Sequence, residues 1–253
     1  MAAIVKNLSV ILVLALATAC GGGQEKQEAA STPAAPAAVP IDPATVGSIS
    51  GRITLEGTPP KADRIKTTSD PNCMAPVFTE SFVTGDKGAL QNVFVYVKDG
   101  LGNRTFPVPT EPVVLEQKNC TYVPHVLGVM AGQPVELRNS DPTLHNIHAV
   151  PEANREFNMG QPIQGMKQQH IFSAKEVMVP FKCDVHRWMS AFVGVLDHPF
   201  YAVTSKDGSF ELKGLPPGTY TIEAVHEKLG RQTQTVTVEP KETKSDVSFM
   251  FKV

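Results

Sequence analysis

From Gly47 onward the apolar positions fall into short runs with a period of two. SISGRITLEG alternates and closes on Gly57, Pro59 and Pro60. NVFVYVKDG is a β-branched and aromatic run that ends at Asp99-Gly100. PVVLEQ, TYVPHVLGVM, QPVELRN, HNIHAV, QQHIFS, VMVPFK and SAFVGVL follow, then YAVT, SFELKG, TYTIEAVHE, QTQTVTV and DVSFMF. Val, Ile, Thr, Phe and Tyr dominate these runs, and such side chains suit a pleated, half-buried surface. Turn signals (AGQP, NSDP, KDGS, GLPPG) recur every dozen or so residues. No segment sustains a helical period. The pattern predicts an all-β protein built from sandwiches, and the length favours two β units over one. The stretch from Glu152 to Gln169 alternates little and predicts a long surface connection.

The first 46 residues read differently. Lys6 precedes an apolar run, Val10–Ala19, too short to span a bilayer, so a cleaved export signal is expected. The run ends LATAC followed by three glycines, which resembles a bacterial lipobox. That resemblance implies lipidation of Cys20 and a membrane anchor. The lipobox favours Leu three residues before the cysteine; here Ala17 stands there and Leu16 one place earlier. An ordinary signal cleaved near Ala19 is the alternative. Residues 21–46, rich in Ala, Pro and small polar side chains, form a linker that cannot bury a core. The chain carries 23 Lys+Arg against 25 Asp+Glu, a net charge of -2, which argues against nucleic acid as a partner.

Export places the four cysteines in an oxidising compartment. With Cys20 assigned to the lipid, one natural arrangement pairs Cys73 with Cys120 and leaves Cys183 for a metal, although sequence alone does not fix connectivity. Cys183 stands in VMVPFKCDVHRWMSAFVGVLDH, as Cys183-x-x-His186-x-x-Met189, and His145 lies some forty residues earlier in NSDPTLHNIHAV. One thiolate, two imidazoles and a thioether form a soft, mixed donor set suited to copper in an electron-transfer site. Zinc is the competitor, since Cys and His also bind it. His148, three residues from His145 on a predicted strand, faces the other way and is expected at the surface or outside the ligand set, behind the site, rather than on the metal. His125 and His170 are expected as strand histidines, His198 as a packing residue and His226 as structural or exposed. Trp188 fits core packing and an apolar docking rim equally well.

His145-Asn146 followed by CxxHxxM resembles the cupredoxin family, which includes plastocyanin, amicyanin and azurin, over roughly Val113 to Leu196. The resemblance implies one type 1 copper held by His145, Cys183 and His186 with Met189 axial, and Asn146 stiffening the site from outside. DGSFELKGLPPGTYTIEA resembles the carboxypeptidase regulatory-like domain, a small transthyretin-like β-sandwich related to carbohydrate-binding-like folds. A first strand comparable to that family's lies at 48–57, which implies that the copper unit is inserted into this sandwich. The expected architecture is thus a cupredoxin-like Greek-key β-sandwich (106–198) plus a small carboxypeptidase regulatory-like β-sandwich (199–253), to which 47–105 is expected to contribute strands. The expected function is single-electron transfer between redox protein partners, without enzymatic activity, on the periplasmic or cell-surface face of a bacterial membrane. Copper storage or delivery, and glycan-binding adhesion with a structural metal, are the alternatives.

Overall fold

The computed structural model describes residues 40–253. The export signal, Cys20 and the linker up to residue 39 lie outside the described residues. Eighteen strands follow in order: β1 (Gly47–Glu56), β2 (Arg64–Ile65), β3 (Val77–Phe78), β4 (Phe94–Asp99), β5 (Val113–Lys118), β6 (Thr121–Val123), β7 (Val126–Met130), β8 (Pro134–Asn139) and β9 (His145–Ala149). Then come β10 (Phe157–Gln161), β11 (Lys167–Ile171), β12 (Glu176–Lys182), β13 (Ser190–Leu196), β14 (Tyr201–Val203), β15 (Ser209–Leu215), β16 (Gly218–His226), β17 (Gly230–Val238) and β18 (Thr243–Lys252). Apart from one 3-10 turn, Asp86–Gly88, no helix occurs among the described residues, and none is long and apolar enough to cross a membrane.

Two sandwiches result. The first packs the sheet β15-β1-β18 on β14-β4-β16-β17, burying Ile49, Ile53, Val95, Val97, Ile222, Phe249 and Phe251. Its strands come from both ends of the described chain. The second packs β10-β9-β12-β13-β7 on β11-β8-β5-β6 around Leu115, Tyr122, Val129, Leu137, Phe181 and Val193. The connection expected over 152–169 is a correction. It contains β10, paired antiparallel with β9, and the start of β11, paired with β8. Both are edge strands carrying Asn, Gln and Lys, so they show no buried apolar row to read.

The two sandwiches meet on a third apolar cluster: Phe94, Tyr96, Val126, Leu196 and Val225. This contact explains why NVFVYV is apolar without alternation. β4 turns Val95 and Val97 into the first core and Phe94 and Tyr96 into the interface, so both faces are buried. Opposite it, Gly128 and Gly194 are paired across β7 and β13. A Cβ on Gly194 would run into the Phe94 ring, and one on Gly128 into the Tyr201 ring. The two glycines therefore make the flat floor on which the stacked Phe94 and Tyr201 rings lie. Gly194→Val is expected to cost about 2–3 kcal/mol by overpacking this contact, read as a lowered denaturant midpoint. A loss below ~0.5 kcal/mol, the size of an ordinary surface change, would mean the rings move aside freely.

Glu223 of β16 is buried beside this contact. It accepts hydrogen bonds from the Tyr96 hydroxyl at 2.6 Å, Lys98 Nζ at 2.7 Å and Arg231 Nη1 at 2.9 Å. Burial pushes its carboxyl up, but Lys98, Tyr96 and Arg231 outweigh burial and hold it below its ordinary value. Its stabilisation is therefore complete above the usual glutamate range, near pH ~4.3, and is lost as pH falls further. Glu223→Gln is expected to lose about 2 kcal/mol at pH 7. The gap in melting temperature from the natural protein should close between pH 5 and pH 3. A gap that stays constant over that range would mean that ionised Glu223 contributes nothing.

Candidate metal centre

Local backbone chemistry builds the site first. The seven residues from Cys183 to Met189 bridge antiparallel β12 and β13. Such a short bridge must curl, and its amides find nearby acceptors. Met189 N–H donates to His186 O at 2.9 Å, Cys183 N–H to Met189 O at 3.3 Å, and His186 N–H to Cys183 Sγ at 3.3 Å. Asn146, on β9, clips the loop to its own strand: its Oδ1 accepts the Asp184 N–H at 2.6 Å and the Val185 N–H at 3.4 Å. His145 begins the same strand, so one pair of consecutive residues carries an imidazole and the anchor of the loop it faces.

The side chains converge. His145 Nδ1 and His186 Nδ1 are 2.9 Å apart, and His186 Nδ1 is 4.0 Å from Cys183 Sγ. The three ligand atoms all lie within 4.8 Å of one another, on residues no more than 2% exposed. Met189 is buried in the same core cluster as Cys183. Two bonds of about 2.0–2.3 Å to a common ion can span up to about 4 Å, so the nitrogen and sulfur spacings fit one metal ion.

The outer nitrogens sharpen the point. His145 Nε2 donates to Asp141 Oδ2 at 2.9 Å, and His186 Nε2 to Asp70 Oδ2 at 3.0 Å. Asp70 is held at about 2, chiefly by the Thr143 hydroxyl, so it is an ionised acceptor. Burial pushes Asp141 up, but the His145 contact and the Cys120 and Asn119 amides bring it below its ordinary value. Each carboxylate therefore fixes the proton of its imidazole on Nε2, leaving the Nδ1 lone pair inward. Two inward lone pairs at this distance repel unless a cation sits against both. For His145, burial pulls the imidazole down, yet Asp141 and Cys183 outweigh it and push it up to about 9. His186 is lowered by burial and by the charge on His145, with Asp70 opposing. For Cys183, burial pushes the thiol up, but His145 and the Asn146, His186 and Val185 amides bring it below its ordinary value.

Cys73 and Cys120 are joined by a disulfide with Cα atoms 5.6 Å apart. Cys120 shares a two-residue hairpin turn with Asn119, both at positive φ, and the Asp141 carboxylate takes both of their amides, at 2.7 and 2.8 Å. Trp188 is partly buried; its Nε1–H donates to Cys120 O at 3.0 Å, and its ring centre lies 5.0 Å from that of His186. His148 takes no part: Asp184 and Glu156 hold its two nitrogens, each at 2.8 Å. His125 is tied to Glu227 and Ser190, and His198 to Val97. His170 packs against Phe157, and buried His226 caps the turn after β16.

Asp70 and Asp141 are the site residues that the sequence reading missed. A signal was present: Ser-Asp-Pro occurs at 69–71 and again at 140–142, and each copy delivers its Asp to one of the two imidazoles.

Residues 191–252 match the model of the carboxypeptidase regulatory-like domain. The match starts inside β13, whose hydrogen bonds lie in the five-stranded sheet. No curated protein matches the chain. Among solved structures it is similar to a Cu-containing nitrite reductase from Thermus scotoductus SA-01, at 17% identity and TM-score 0.33, covering 38% of this chain and 26% of that one. It is also similar to a purple cupredoxin from Nitrosopumilus maritimus, at 22% identity and TM-score 0.29, covering 33% and 98%. A mutant of amicyanin in its Cu(I) form aligns at 19% identity and TM-score 0.30, covering 40% and 97%.

Proposed function

We propose that this chain is an exported, lipid-anchored copper protein that passes single electrons between redox partners. The observation that carries the reading is the inward convergence of His145 Nδ1, His186 Nδ1 and Cys183 Sγ, with both outer nitrogens held by carboxylates. His145, His186 and Cys183 would be the strong donors to a copper ion and Met189 the weak fourth, and the Cu(I)/Cu(II) couple would supply the one-electron chemistry.

The chain's own contribution is rigidity and exclusion of water. β9 and the β12–β13 loop are cross-tied by Asn146, so the donors keep their places whichever charge state they face. Asp141 and Asp70 hold both imidazoles in one tautomer and one orientation. Burial of all three strong donors opposes exchange with solvent, which favours a carrier over a storage or delivery protein. The Cys20 lipid and the following linker would tether the folded part at the periplasmic or outer face of a bacterial membrane.

The test is a Cu(II) titration of the purified protein followed by visible absorption and electron paramagnetic resonance. A strong thiolate-to-copper band that saturates at one equivalent supports the proposal. A colourless, weakly bound product overturns it and redirects the search to zinc.

A further inference from the structure

The loop between β2 and β3 belongs, in chain order, to the first sandwich's end of the molecule, yet it closes over the metal centre of the second. It is folded tightly on itself. Asp70 N–H donates to Thr67 O at 3.1 Å, Cys73 N–H to Asp70 O at 3.1 Å, Asn72 N–H to Asp70 Oδ1 at 2.8 Å, and the Thr67 hydroxyl to Cys73 O at 2.7 Å. It is then fixed to the second sandwich at three points: the Cys73–Cys120 disulfide, the Thr143 hydroxyl on Asp70 Oδ2 at 2.6 Å, and His186 Nε2 on the same oxygen. Cys73 Sγ lies 3.8 Å from His186 Nε2. The edge of His186 that would otherwise meet solvent is covered, and its side chain is 3% exposed.

The two braces are linked through that disulfide. Asp141 grips the Cys120 amide and His145; Asp70 grips the Cys73 amide, through its carbonyl, and His186. We infer that Asp70 is a positioning residue for the metal centre, holding His186 from outside and, with its loop, locking the ion in. The inference rests on the proposed copper function for its ligand, but its geometry is a property of the metal-free chain. Loss of an outer partner of this kind weakens a site by about 10–100-fold.

The test uses the full chain and two readouts. One is the rate at which a strong chelator extracts copper. The other is the solvent exchange of the His186 Nε2 proton, followed by nuclear magnetic resonance in the metal-free protein. Thr67→Val serves as a control that loosens the same loop and leaves the carboxylate. Asp70→Ala should speed extraction about tenfold or more and expose the proton to fast exchange. Asp70→Glu should recover part of both, and Thr67→Val should change each by less than about threefold, a loop effect without loss of the outer partner. Equal effects from Asp70→Ala and Thr67→Val would overturn the inference, making the loop a plug only. Unchanged extraction with a protected proton in Asp70→Ala would also overturn it. If that variant does not fold, the isosteric Asp70→Asn replaces it: faster extraction supports the inference and unchanged extraction overturns it. If the natural protein takes up no copper, the functional proposal fails separately, and the proton-exchange measurement alone decides the role of Asp70.

Discussion

Cys183→Ser is expected to abolish the intense visible band completely and to weaken copper binding by more than the ~10–100-fold that follows loss of an outer partner. The colour of the proposed site arises from charge transfer between a thiolate and the metal. A serine hydroxyl does not ionise near neutral pH and cannot take that role. Cys183 is set up for it: burial opposes the thiolate, but the His145 contact and the Asn146, His186 and Val185 amides favour the anion. The β fold should persist, because the substitution is nearly isosteric. The new hydroxyl can also accept the His186 amide that now reaches the sulfur at 3.3 Å. Absorption and far-ultraviolet circular dichroism on one sample check both halves. Full colour in the variant would remove Cys183 from the ligand set and with it the proposed copper site.

Removing the disulfide is expected to have the largest effect on stability. Cys73 and Cys120 are 47 residues apart, and their bond restricts the unfolded chain over that whole span. A loop of this length corresponds to about 4 kcal/mol of chain entropy. For a folded part of this size, that is a fall in melting temperature of about 8–16 °C. The double variant Cys73→Ser with Cys120→Ser, melted without metal, tests this. A fall of only 1–2 °C, worth less than about 1 kcal/mol, would mean that the unfolded chain is already constrained by other contacts.

Much of this molecule was legible before its structure was known, for reasons that can be given strand by strand. Runs such as FELKG and VELRN declared themselves because one face is buried and the other wet, which writes a period of two into the sequence. The convergence of His145, Cys183 and His186 could be expected because two of them share one seven-residue loop. β10 and β11 were not, since edge strands that bury little carry little pattern. Asp70 was harder still. It meets His186 across 116 residues of chain, and the hints were the Cys73–Cys120 pairing and the repeated Ser-Asp-Pro.

The strand order of the first sandwich bears on how the chain is made. β1, its central strand in one sheet, lies parallel to β18, the last strand of the chain. It therefore has no complete sheet to join until β18 has been made. β5 to β13 depend on no later segment for their hydrogen bonds. On a chain threaded from its N-terminus, the metal-centre sandwich can close first and serve as the template against which β4 and β14 settle. A stall near residue 200 would then leave a finished second sandwich attached to an orphaned N-terminal strand, a sticky edge open to pairing with other chains.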